Sequence, residues 1–341
     1  MVELDTHAMD VPEGLNEEYY QINLDILSSF NKFRPPLDIF FFKEDVARII
    51  PYYKTGGRLT TEQTEELPEM VKQGIIFVSR KDHAVYVKHI SYQLDLVLVD
   101  KNLKEREIAD IFTQALTRRL DEFFDQPVAA IRDKLWEDLM VLTEYLHQDI
   151  NGVWALVKRM HKEHSLANHS FNCGVFGLAL FSKMHAKDFE EGGVKRKLFD
   201  RLAAGLFLHD LGMCKIPPFI RNKAKPLTQD ERTKINQHCK LGVEMLAKLD
   251  LKFPEIEACV LEHQERMLGT GYPQKKNGKD ITPLGRLCAV VDSYCAMVSK
   301  RPYADAMEPL KAAATLSDDQ NYDRGITNVL QAMLITRTKL K

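Results

Sequence analysis

From Lys104 onward the chain loses nearly every strand signal. In "KEREIADIFTQALTRRLDEFFD" (104–125), Ile108, Ile111, Phe112, Ala115, Leu116, Leu120, Phe123 and Phe124 recur at helical spacing and form one apolar stripe. Such a stripe reads as core, with an interdomain or dimer helix as the second option. More helical runs separated by polar loops follow. The N-terminal third differs: "LDIFFF" (37–42) and "GIIFVSR" (74–80) are short β-rich runs, and "HAVYVKHI" (83–90) is expected to pair with the latter across Lys81-Asp82. Between the first two, "TTEQTEELPEMVKQG" predicts a helix capped by Thr60 or Thr61 and stopped by Gly74. Gln126-Pro127 punctuates the pattern. The expected architecture is a small α+β regulatory or accessory domain over residues 1–125, then an all-α helical bundle over 126–341. A length of 341 residues suits two domains.

Charge and composition exclude several classes. A formal net charge of −2 gives no field that recruits a nucleic acid polymer or an anionic membrane. No apolar run approaches the ~20 residues of a spanning helix. The opening "MVELDTHAMDVPEG" lacks a leader's charged-then-apolar pattern. The six cysteines have no CxxC spacing and read as reduced thiols, so a cytoplasmic protein is expected.

Histidine carries the chemical signal, since eight of the chain's eleven lie between 147 and 263. His169 stands in the apolar run "ANHSFNCGVFGLALF", and the pair His209-Asp210 ends the next one, "LFLHDLGMCKIP". His238 follows in a third helical segment, His263 in a fourth and Asp292 in a fifth, "LCAVVDSYCAMV". A buried aspartate is costly unless it is paired or bound to a metal. Each residue alone reads as an ordinary core or helix-end group. Five helices that each present a His or Asp from an apolar face make His169, His209, Asp210, His238, His263 and Asp292 an inward-facing set, as bundle metal sites are built. Four imidazoles and two carboxylates, counted without any thiolate, suit iron, manganese or zinc. Six donors fit a pair of ions better than one, with Asp210 as the bridging carboxylate. The residual positive charge favours an anionic substrate such as a phosphodiester.

At these residues the chain resembles the HD-GYP family of HD phosphohydrolases, which hydrolyse the bacterial signalling messenger cyclic di-GMP. The matching stretches are "HSFNCGVF" (169–176), "HDLGMCKIP" (209–217), "LTQDERTKINQHCKLGVEML" (227–246), "HQERMLGTGYP" (263–273) and "GRLCAVVDSYCAMVSKRPY" (285–303). The resemblance implies a helical bundle, two divalent ions with iron foremost and manganese second, and the same six ligands. It casts His209 and Asp210 as the catalytic pair, and Tyr272 and Arg301 as contacts to a cyclic dinucleotide. The implied product is linear pGpG, with GMP as the product of a further step.

Several positions depart from the family pattern. Met213 stands where a lysine is usual, with Lys215 two positions on. Gln264 replaces a second histidine and is left as a weak ligand or a residue behind the ligands. Leu268 and Cys295 stand where aspartates are usual, and Ser165 where three-metal members have a glutamate. Two ions rather than three are therefore expected. The alternative is a degenerate relative that binds a cyclic dinucleotide as a receptor. His161 is read on one helix face with His169, as a solvated residue or at the pocket mouth, and His147, His164 and His185 as surface residues. A signalling-protein partner and a homodimer through the 103–125 helix stay open.

Overall fold

In the computed structural model, packing divides the chain into two compact units, Met1–Gln114 and Ala115–Lys341. The division falls inside the helix Glu105–Asp125 rather than at Gln126-Pro127. The structure describes residues 18–22, 24–43, 46, 48–90, 94–99, 103–301 and 304–339. The stretch 1–14, and Pro302 and Tyr303 of the last motif, lie outside them.

The first unit holds a four-stranded antiparallel sheet in the order β1-β4-β2-β3, with β1 Tyr19–Gln21, β2 Ile39–Lys43, β3 Arg48–Tyr53 and β4 Ile76–Ser79. Two of these strands are the β-rich runs of the sequence. The other two escaped it for physical reasons: β1 has three residues, and Pro51 within β3 masks a strand. Proline is tolerated there because β3 is an edge, where a missing N–H costs no ladder bond. Helix α1 (Thr61–Lys72) begins with a capping box in which Thr60 accepts from Gln63 N and the Gln63 side chain accepts from Thr60 N. The chain turns out of it at Gly74, whose φ of 74° is open to glycine.

The expected strand over 83–90 is instead helix α2 (His83–Ile90), entered through a 3-10 turn over Arg80–Asp82. The alternation of "VYV" was misleading. Tyr86 and Ile90, four apart, are both buried, whereas Val85 is exposed, which is a helical face.

The second unit is helical, and no strand longer than an isolated bridge lies in it among the described residues. Helix α3 (Glu105–Asp125) buries its stripe except for half-exposed Ile108. There follow α4 (Ala129–Gln148), α5 (Leu166–Met184), α6 (Arg196–Leu208), α7 (Gln229–Ile235), α8 (His238–Lys248), α9 (Pro254–Glu262), α10 (Pro283–Val298), α11 (Pro309–Asp318) and α12 (Arg324–Lys339). Ser165 caps α5 by accepting from Asn168 N, and every residue from His169 to Ser182 is buried. A helix apolar all round belongs at the centre of its domain, and α5 is covered by α6, α10 and α12. No helix among the described residues is long and apolar enough to cross a membrane.

Candidate metal centre

The polar exceptions on these apolar helices converge at one point. His169 lies one turn into α5, His209 terminates α6, Asp210 opens the 3-10 turn Leu211–Lys215, His238 begins α8, His263 terminates α9, and Asp292 lies within α10. All four imidazoles are buried, His209 and His263 completely. The carboxylate of Asp210 sits among them. Its Oδ1 is 3.4 Å from Nε2 of both His238 and His263, and its Oδ2 is 3.7 Å from His209 Nε2 and 3.9 Å from His169 Nε2. Asp292 Oδ1 is 2.9 Å from His169 Nε2 and 3.8 Å from His209 Nε2.

Backbone carbonyls orient three of the rings. Nδ1 of His209 faces Leu206 O at 2.9 Å, that of His238 faces Ile235 O at 2.7 Å, and that of His263 faces Cys259 O at 3.0 Å. A carbonyl only accepts, so each Nδ1 carries the hydrogen and each Nε2 turns its other face to Asp210. His209 Nε2 is buried with no hydrogen-bond partner. His238 and His263 bring their Nε2 atoms to 3.0 Å of each other, a separation that calls for a cation between two lone pairs, a proton or a metal. One orphaned nitrogen, on His209, and three others converging with it on two carboxylates fit divalent metal.

Electrostatics agree with this geometry. Burial pushes the His209 imidazole down to about 4, leaving it neutral at physiological pH. Burial also disfavours charge on Asp210, yet the surrounding imidazoles, His209 first, hold its carboxyl well below the usual range. Asp292 likewise overcomes its burial, chiefly through the hydrogen bond to His169. At His263 burial opposes protonation, but Asp210 outweighs it and raises the pKa.

Other expectations divide. Gln264 donates from Nε2 to Asp292 Oδ2 at 2.8 Å, so it steadies a carboxylate. Replacing Gln264 by alanine is expected to weaken metal affinity by about 10–100-fold while leaving the fold intact, read by chelator competition beside a thermal melt. Tyr272 stands edge-on to the His238 ring, 6.1 Å between centroids, and is not in the cleft described below. Arg301 is in that cleft, beyond the end of α10. Ser165 is spent as the α5 cap, Leu268 is exposed, and Cys295 is buried.

His161 is corrected: α5 begins at Leu166, so His161 shares no helix face with His169, and its Nε2 instead meets Thr117 Oγ1 at 2.8 Å. His164 is corrected too. It is no surface residue, because its ring lies 5.5 Å from that of His169, it lines the cleft, and burial pushes it down to about 4.

Two carboxylates and two thiols were missed by sequence reasoning. Glu262 and Glu265 are buried and fasten the loop after His263. Glu262 accepts from Lys276 Nζ (2.6 Å) and from Thr282 N (2.8 Å), and Glu265 accepts from Gln274 N (2.6 Å) and Lys276 N (3.0 Å). Cys173 and Cys239 fall among the metal-competent donors, Cys173 with His169, His209 and Asp292, and Cys239 with His238 and His263. The four-residue spacing of His169 and Cys173 on one helix was the available signal.

A cleft of about 1070 Å³ opens onto Asp210. Five cationic residues line it, Arg221, Lys223, Lys225, Arg232 and Arg301, against three aspartates, so it suits an anion. Met213 also lines it, and Arg221 donates to the Met213 carbonyl at 3.2 Å; Lys215 is exposed and outside it.

Comparison with known proteins matches residues 181–326 to the HD domain family. The cyclic di-GMP phosphodiesterase response regulator RpfG of Xanthomonas campestris is 37% identical over 100 residues, 29% of this chain and 26% of that protein. A cyclic di-GMP phosphodiesterase of Thermotoga maritima is 34% identical over 125 residues, 36% of this chain and 34% of that one. The chain thus matches about a quarter to a third of the length of these relatives. A solved structure, the HDG"Y"P protein Bd1817 of Bdellovibrio bacteriovorus, shares the fold with a TM-score of 0.60 at 15% identity, covering 93% of this chain and 99% of that one.

Proposed function

We propose, for a chain whose residues 181–326 match the HD domain family, that the second unit is a metal-dependent phosphodiesterase of the HD-GYP kind, cleaving cyclic di-GMP to linear pGpG. One observation carries this reading: four buried imidazoles and Asp292 converge with Asp210, which lines a cation-lined cleft large enough for a dinucleotide. Relatives named cyclic di-GMP phosphodiesterases support the substrate class, and a relative from Vibrio cholerae named a 3'3'-cGAMP-specific phosphodiesterase, 33% identical over 99 residues (29% of this chain, 19% of that protein), supports cyclic dinucleotides more broadly.

His169, His209, Asp210, His238, His263 and Asp292 are the residues that would hold two divalent ions, with iron or manganese as the expected metals. Two such ions supply Lewis-acid activation and charge neutralisation for displacement at phosphorus. Around them the chain's own groups bind and orient. Arg301 offers a planar fork of donors to a phosphate, and Lys225 and Arg232 add positive charge at the rim. Tyr272, packed edge-on against His238 and outside the cleft, steadies that ring. Arg221 brings a cation to the turn where Met213 has removed the family's lysine.

The receptor reading is kept for one reason, that the apolar Met213 side chain lines the cleft beside Asp210. Anaerobic incubation of metal-replete protein with cyclic di-GMP, with 3'3'-cGAMP in parallel, separates the two. Release of pGpG supports the enzyme, and saturable binding without product supports the receptor. In the enzyme, Arg301→Ala is expected to raise KM for the dinucleotide by about tenfold, the worth of one charge-assisted contact.

A further inference from the structure

Burial of a thiol in an apolar core is ordinary, and five of the six cysteines here are buried. Among the described residues only two of those five, Cys173 and Cys239, fall among the metal-competent donors. Each faces an imidazole nitrogen rather than hydrocarbon. Cys173 Sγ is 3.6 Å from His169 Nε2, and Cys239 Sγ is 3.4 Å from His238 Nε2.

Those separations have a physical meaning. A tetrahedral ion with sulfur at about 2.3 Å and nitrogen at about 2.0 Å holds its sulfur and nitrogen ligands about 3.5 Å apart. Nitrogen and oxygen ligands of the same ion stand about 3.3 Å apart. In the half of the centre built by α8 and α9, the sulfur–nitrogen distance is 3.4 Å, both nitrogen–oxygen distances to Asp210 are 3.4 Å, and the nitrogen–nitrogen distance is 3.0 Å. In the half built by α5, α6 and α10, His169 Nε2 stands 2.9 Å from Asp292 Oδ1 and 3.6 Å from Cys173 Sγ, and His209 Nε2 stands 3.8 Å from Asp292 Oδ1.

We infer that Cys173 and Cys239 are metal ligands, so that each half of the centre offers two imidazoles, one carboxylate and one thiolate. The inference rests on the metal centre proposed above and changes its chemistry. As each metal–sulfur bond forms, the thiol proton leaves to solvent, so binding releases a proton per cysteine engaged. The resulting set selects thiophilic borderline ions, zinc or ferrous iron, over hard manganese. A count of imidazoles and carboxylates alone favours no such choice. Cys295 is buried as well but is not in either group.

Cobalt(II) reports the ligands directly. The full chain is stripped with a chelator, reloaded with cobalt(II), and read by absorption. The expected result is an intense near-ultraviolet sulfur-to-cobalt charge-transfer band beside the visible d–d bands. Cys173→Ser and Cys239→Ser each remove about half of that band, the double variant loses it, and Cys295→Ser keeps it. The wild-type spectrum alone can overturn the main point, so a variant that fails to fold does not rescue the inference. Cobalt bound with d–d bands and no charge-transfer band overturns the thiol ligands while leaving the metal centre standing. Persistence of the band in the folded double variant also overturns them. Absence of any cobalt binding overturns both the centre and its thiols.

Discussion

Replacing Asp210 by alanine is expected to lower hydrolysis of cyclic di-GMP on the order of 10³-fold or more and to cut bound metal from about two ions per chain to one or fewer. The magnitude follows from position. One carboxylate approaches the Nε2 atoms of all four imidazoles, at 3.4 to 3.9 Å, so no other residue can keep the two halves of the centre joined. Its charge is maintained against desolvation by those same rings. Product assay and metal analysis on the same preparation check the claim, with Asp188→Ala, which removes only an exposed partner of His185, as a control expected to change neither. An Asp210→Ala protein that retained its ions and turnover would refute the bridging role.

The second large effect is structural and lies two residues away. Gly212→Ala is expected to destabilise the protein by about 2–3 kcal/mol and to weaken metal binding at the same time. Gly212 has room for hydrogen only. A Cβ there would overlap the carbonyl oxygen of His238 and stand 2.6 Å from the amide nitrogen of Gly242. Both obstacles are backbone, so no side-chain rotation relieves them. The turn that carries Asp210 would have to retreat from α8, whose first residue is His238. A lowered denaturation midpoint together with a lowered metal content is the expected signature. A wild-type midpoint would mean that the two backbones do not approach so closely.

The convergence of these six residues was legible because most of them interrupt or end an apolar helical run, and such breaks survive in one dimension. What surrounds it was not. His164 looked like a surface residue because its neighbours "HKEHS" are polar, and only the packing of α5 against the ends of α6 and α10 turns it inward. Glu262 and Glu265 carry no signal of their own in the sequence. Their work depends on how the loop from 264 to 282 folds back, a closure of low local signature. The cysteines were counted for CxxC spacing and so passed over, although a histidine and a cysteine four apart on a helix share a face. In the first unit the strand of Pro51 was hidden by its own edge position, and the apolar alternation over 83–90 yielded to a helical face that buries Tyr86 and Ile90.

The most direct measurement is the metal-to-protein ratio of the full chain purified without oxygen, by elemental mass spectrometry. About two divalent ions per chain, lost on exhaustive chelation and restored on reloading, is the expected result. A ratio near zero that reloading does not raise would contradict the account, because converging nitrogens around Asp210 would then be held together by protons alone.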